Sequence, residues 1–231
     1  MIGHVGVVVP AHDEEAALPS CLIALMAAAD RIRPVPVSIC VVADACTDQT
    51  ADCARLAGVA VVRIRARCVG AARSAGIRHL LRTLPGVSAD TIWLATTDAD
   101  SHVPAHWLRR QLGYAEDGWD AVAGTVTVAD WTGHPPHLPD TFAAHYAHAG
   151  PAHRHVHGAN LGVRASAYLA AGGFRPLPTG EDHDLLAALA ATGTTAVHAA
   201  DIAVETSSRR GGRAPAGFSD LLRRLAVDAQ P

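Results

Sequence analysis

Thr91-Ile92-Trp93-Leu94-Ala95-Thr96-Thr97-Asp98-Ala99-Asp100 is an apolar, β-type run that ends in two carboxylates two residues apart. Such a run reads as a buried strand, and the acids stand at its C-terminal edge. In open α/β sheets that edge is where ligands bind. Two hard oxygen donors there suit Mg2+ or Mn2+, ions that keep water and phosphate oxygens in their shells. An acidic pair after a strand is common in plain loops, so its weight comes from its neighbours.

Upstream, Val5-Gly6-Val7-Val8-Val9 is stopped by Pro10, and residues 13–30 carry Leu18, Cys21, Leu22, Leu25 and Met26 at helical spacing behind Asp13, Glu14 and Glu15. Val37–Val42 is a second strand ending at Asp44, followed by a helix over about 48–57. Val59–Ile64 is a third strand, and a helix runs from Gly70 to about Thr83. Four strands thus alternate with three helices, which predicts a mostly parallel sheet with crossover helices.

Downstream the pattern loosens. Val122–Val128 alternates as a strand, and 131–157 is rich in Pro and His, with seven of the fourteen histidines between His134 and His157. Spacings such as His153-x-His155-x-His157 suggest zinc, but no Cys accompanies them, and a mobile acceptor-recognition loop is the preferred reading. Ser207–Gly217 reads as a mobile basic loop before a short amphipathic helix around Leu221, Leu222 and Leu225.

With 231 residues the chain is long enough for one substantial domain. Hydrophobic residues make up 49% but aromatics only 4%, so the core must be built from Ala, Val and Leu. A net charge of −3 gives no general argument for nucleic acid or an anionic membrane surface as partner. No apolar stretch is long enough for a transmembrane segment. Five cysteines without a Cys-x-x-Cys read as reduced thiols of a cytoplasmic protein.

Five elements follow one another in order: Pro10-Ala11-His12-Asp13-Glu14-Glu15, Val42–Asp48, Gly70-Ala71-Ala72-Arg73-Ser74-Ala75-Gly76, the Asp98/Asp100 pair, and Gly180-Glu181-Asp182-His183-Asp184. This set resembles the family 2 glycosyltransferases of the GT-A fold, over roughly residues 5–200. The resemblance implies a single GT-A domain with a Rossmann-like α/β sheet. Its parts are a nucleotide-sugar-binding half over about 1–115, an acceptor-binding half over about 116–204, and a basic loop and terminal helix over 205–231.

The resemblance also implies roles. Pro10, Ala11 and Glu14 would form the donor floor. Asp44 matches the acid that accepts the base's imide N–H, although Ala43 replaces its usual acidic neighbour and Ala45-Cys46 the usual Gly-Ser. Arg73 would meet the diphosphate or the base-binding acid. Asp98 and Asp100, with Ala99 between them, would hold the ribose and a Mn2+ or Mg2+ ion, His198 being a third metal ligand. Asp182, seconded by Glu181, matches the general base of inverting members. His157, Gly158 and Asn160 match the acceptor segment. Arg209 and Arg213 stand where relatives close a loop over the donor.

The implied activity is metal-dependent transfer of a sugar, by default from a UDP-sugar, to a small or carrier-linked acceptor with inversion. Two alternatives stay open: a retaining relative making a small sugar conjugate, and a non-catalytic nucleotide-sugar-binding protein of the same fold. A nucleotidyltransferase would need a Gly-rich basic loop after the first strand, which Pro10–Glu15 is not. A processive membrane synthase would need spans and a Gln-x-x-Arg-Trp motif, neither of which is found.

Overall fold

The structure, a computed structural model, describes residues 1–147, 155–211 and 217–228. The β-branched runs form β1 (His4–Ala11), β2 (Val37–Asp44), β3 (Ala60–Ile64) and β4 (Ile92–Thr96). Between them lie α1 (Leu18–Asp30), α2 (Thr50–Leu56) and α3 (Val69–Arg82). All three pairings within this half are parallel. Along β1 the strand period of two sends Val5, Val7 and Val9 into one apolar layer and Val8 into the other. The first layer is closed by α1, the second by α3. Helix α3 lies very close to the sheet: a Cβ at Gly76 would stand 2.5 Å from Val8 Cγ1 and 2.8 Å from Val42 Cγ2.

The second half adds β5 (Ser101–His102), α4 (Trp107–Glu116), β6 (Ala121–Thr127), α5 (Leu138–Ala147), β7 (Leu161–Arg164), α6 (Ala165–Ala170), α7 (Glu181–Ala191), β8 (Ala196–Thr206) and α8 (Phe218–Asp228). One eight-stranded sheet runs through both halves in the order β3-β2-β1-β4-β7-β6-β8-β5. Here β7 is antiparallel to β4 and β6, β8 is parallel to β6, and β5 is antiparallel to β8. The core is dominated by Ala, Val and Leu, as the composition requires. Its two fully buried tryptophans find polar partners: Trp93 Nε1 donates to Gln111 Oε1 at 2.8 Å, and Trp107 Nε1 to Asn160 Oδ1 at 2.8 Å.

Two expectations are corrected. The first helix starts at Leu18 rather than Asp13. The acidic run is tied sideways to the loop after β2, with the Glu14 N–H on Thr50 Oγ1 and the Glu15 N–H on Asp48, while Asp13 adopts φ 52°. The His-rich stretch is also not all loop. Leu138, Phe142 and Tyr146 recur every four residues on α5, and Pro139 falls in the first turn, where no backbone N–H is needed. This stripe packs on Leu222, Phe218 and Leu225 of α8. His134 and His137 bond the carbonyls of Ser208 and Ala226, so both pin the C-terminal segment. His153 lies outside the described residues.

Candidate active site

The C-terminal ends of β1, β2 and β4 open onto one cavity whose wall includes Pro10, Ala11, Asp44, Asp98, Asp100 and Arg209. Asp44 is buried, and its carboxylate closes a loop: Oδ1 accepts the N–H groups of Ala66 and Arg67 at 2.7 and 2.9 Å, and Oδ2 that of Cys68 at 2.8 Å. The segment leading into α3 is thereby fastened to the end of β2. Three acceptor positions of Asp44 are engaged by backbone, a task the sequence did not suggest.

Beside it lies an acidic well. Arg209 Nη1 donates to both Glu14 oxygens at 2.7 and 3.0 Å, and its Nη2 stands 3.1 Å from Asp100 Oδ2. The Glu14 and Asp100 side chains are only 7% and 12% exposed. Burial raises the Asp100 pKa to about 6; Arg209 opposes the rise, and Asp98 and Glu14 add to it. Burial works against the charge of Arg209, and Asp100 and Glu14 outweigh it, so that pKa is raised. Arg213 lies outside the described residues.

Asp98 turns the other way, its Oδ1 accepting from Arg73 Nη2 at 2.6 Å. Arg73 Nη1 donates to Glu181 Oε1, with both side chains almost wholly buried. The guanidinium also stacks 5.8 Å from the Phe174 ring centroid. Arg73 therefore joins two carboxylates beneath the site instead of lining the donor cavity, and Glu181 is its partner, with no freedom to act as a base. Asp182, next on the first turn of α7, is half-buried and lines a second cavity with His157, Gly158, Val126, Phe218 and Arg224. Its Oδ2 accepts the Gly158 N–H at 2.8 Å and its Oδ1 the His183 N–H at 2.8 Å. His157 Nε2 is hydrogen-bonded to the Tyr146 hydroxyl at 2.5 Å.

Two predicted ligands are placed elsewhere. Asn160 is 1% exposed, and its amide donates to the carbonyls of Thr125 and Ile202 while its oxygen takes the Trp107 N–H. With both N–H groups used and the side chain buried, Asn160 does not present its amide to a sugar hydroxyl; it clamps β6, β8 and α4. His198 is not at the acids either. It pairs with Ala123 on β6, three strands across from Thr96 by register, or roughly 14 Å at the usual strand spacing. Strand β8 reaches the donor cavity at its last residue, Thr206, which pairs with Ser101. Among the described residues, the group whose ligand atoms lie mutually within 4.8 Å is His12, Asp13 and Cys46 on the neighbouring loops. Phe218 and Tyr146 belong to no motif in the sequence. Their only signal was rarity, three Phe and three Tyr in 231 residues.

A family model described as glycosyl transferase family 2 matches residues 6–169. No curated protein matches significantly. Among solved structures, a mannosyltransferase, PcManGT from Pyrobaculum calidifontis in complex with GDP-Man and Mn2+, is 18% identical with TM-score 0.67, covering 96% of this chain and 68% of that one. S. aureus TarS 1–349 in complex with UDP-GlcNAc is 15% identical with TM-score 0.65, covering 98% and 65%. Glucosyl-3-phosphoglycerate synthase from Mycobacterium tuberculosis, with Mn2+, UDP and glucosyl-3-phosphoglycerate, is 15% identical with TM-score 0.57, covering 96% and 76%. The chain spans only 37% of another TarS chain it matches. At these identities the likeness is one of fold.

Proposed function

The chain belongs to glycosyl transferase family 2, and we propose that it moves a sugar from a nucleotide-diphospho-sugar, by default a UDP-sugar, to an acceptor hydroxyl with inversion. The observation that carries this reading is Asp98, which lines both cavities. The donor side, with Asp100 and Arg209, and the acceptor side, with Asp182, therefore meet at one carboxylate.

Asp182 would take the proton of the acceptor hydroxyl as its oxygen bonds to the anomeric carbon. The bond from that carbon to the phosphate oxygen breaks, and the nucleoside diphosphate leaves with the electron pair. The N–H groups of Gly158 and His183 hold the Asp182 carboxylate in place for this. Arg209 and Arg67, both on the donor wall, would carry charge on the departing diphosphate. Phe218 and Val69 line both cavities and would keep water from the reacting carbon.

The well fits a divalent cation: its donors are carboxylate oxygens, and a guanidinium already stands among them. Asp100 and Asp98 would hold Mn2+ or Mg2+, which when bound neutralises the diphosphate and eases its departure. The acceptor is proposed to be small or carrier-linked. Among the described residues no helix is long and apolar enough to cross a membrane. All five cysteines are free, which supports a reducing, cytoplasmic setting.

The test is calorimetric titration of UDP, GDP and dTDP, with Mn2+ and with chelator, on the wild type, Asp100→Ala and Asp182→Asn. One diphosphate should bind only with metal, lose binding in Asp100→Ala and keep it in Asp182→Asn, whose transfer rate should fall about a thousandfold. Metal-linked binding of none of the three would overturn the assignment.

A further inference from the structure

We propose that Arg209 is a resident counter-ion: it fills the acidic well in the donor-free protein and passes to the donor's diphosphate as a divalent cation enters. Metal and donor would then bind cooperatively. This rests on the donor reading above and adds to it an order of events.

The geometry is that of a cation already bound. The guanidinium spans the Glu14 oxygens and Asp100 Oδ2 at 2.7–3.1 Å, and its side chain is 32% exposed. Asp98 lines the same cavity but is turned to Arg73, which Glu181 also holds, so its charge is already shared. Among the described residues, Arg209 is a cation that faces both Glu14 and Asp100. A metal ligated through Asp100 Oδ2 competes for an oxygen that Arg209 now holds, and one at Oδ1 would stand beside the guanidinium charge, so a metal arriving alone must first push the guanidinium aside. A diphosphate removes that obstacle, because its oxygens offer the planar fork a pair of acceptors as good as those it leaves. The chain is built for a short transfer. Arg209 follows Thr206, the last residue of β8, which is anchored to Ser101, by three residues, and its own N–H rests on Ser207 Oγ at 3.2 Å. The departure of Arg209 need not disturb the strand.

By linkage, whatever the donor does for the metal the metal does for the donor. Removing Arg209 should thus have opposite effects on the two ligands, which a merely structural arginine would not produce.

The experiment titrates the full chain with Mn2+ alone, by electron paramagnetic resonance of the free ion, for wild type, Arg209→Ala and Arg209→Lys. UDP and inorganic pyrophosphate are then titrated at saturating Mn2+. Arg209→Ala should bind Mn2+ alone about tenfold more tightly and the two diphosphates about tenfold more weakly, the range of ordinary coupling energies. Arg209→Lys keeps a charge in the well and should leave the Mn2+ affinity within about threefold of wild type, since Coulomb attraction survives and the fork does not. Unchanged or weaker Mn2+ binding in Arg209→Ala, with Arg209→Lys indistinguishable from it, would overturn the exchange. Failure of the wild type to bind UDP or pyrophosphate would overturn the donor reading instead. The metal-alone comparison would still decide whether Arg209 competes for the well.

Discussion

At Asp100, burial and two neighbouring carboxylates raise the pKa from 3.8 to about 6, against the pull of Arg209. The ionised form is thus the one the fold disfavours. Folding recovers up to about 3 kcal/mol as pH falls from above 6 towards 4, because the folded chain takes up the proton more readily than the unfolded one. Cation binding runs the opposite way, since a ligand carboxylate must be ionised. Mn2+ affinity should fall roughly tenfold per unit below pH 6, and Asp100→Asn should abolish both trends. Titrations between pH 5 and 8 with parallel thermal melts check this; a flat Mn2+ affinity would refute it. At this scale the sequence was legible beside strand ends, as at Asp98 and Asp100, which follow β4 and line the cavity there. It was illegible where a partner is distant along the chain. Arg73 meets Glu181 across 108 positions, and Asn160 meets Trp107 across 53. No local pattern announces either pairing, so both residues were assigned to ligands they do not face.

Among elements, β1 to β4 were readable because each is a β-branched run bounded by turns. By contrast, β8 was not: it is eleven residues long, carries Asp201 and Glu205, and shifts register opposite Gly124/Thr125. The short turn Gly158–Asn160 between α5 and β7 shows how an element can position chemistry without supplying a side chain. Its carbonyl at Gly158 accepts from Thr96 Oγ1 at 2.7 Å, its N–H holds Asp182, and its bare Cα makes room for Arg73. A Cβ at Gly158 would lie 2.3 Å from Arg73 Cζ. The guanidinium cannot retreat without leaving Glu181 with an uncompensated buried charge. Gly158→Ala should therefore cost about 2–4 kcal/mol in urea unfolding. It should lower transfer more than nucleotide binding, because Asp182 loses its anchor. A variant as stable and active as wild type would show that Arg73 has room to move.

On the scale of the whole molecule, the alternating first half builds a parallel platform and the second half turns the same sheet antiparallel at β7, and Asp182 lines a cavity that Asp98 also lines. The alternation was legible in advance. The turn was not, because it depends on how β7 slots between β4 and β6, a choice made by pairing across the chain. Closure falls to the α5–α8 pair, where Phe218 packs 5.9 Å from Phe142 and 6.2 Å from His157, ring centre to ring centre. Phe218 also lines both cavities, so it stands where the donor's anomeric carbon would meet either an acceptor hydroxyl or water. Truncating it removes the apolar partition but touches none of the carboxylates or arginines of the well. Phe218→Ala should keep metal-linked nucleotide binding within about threefold, yet raise free-sugar release relative to transfer by roughly tenfold, as expected when water enters a site that normally excludes it. The ratio is read by following nucleoside diphosphate release with and without acceptor. An unchanged ratio would mean that the partition lies elsewhere, and that α8 serves packing alone.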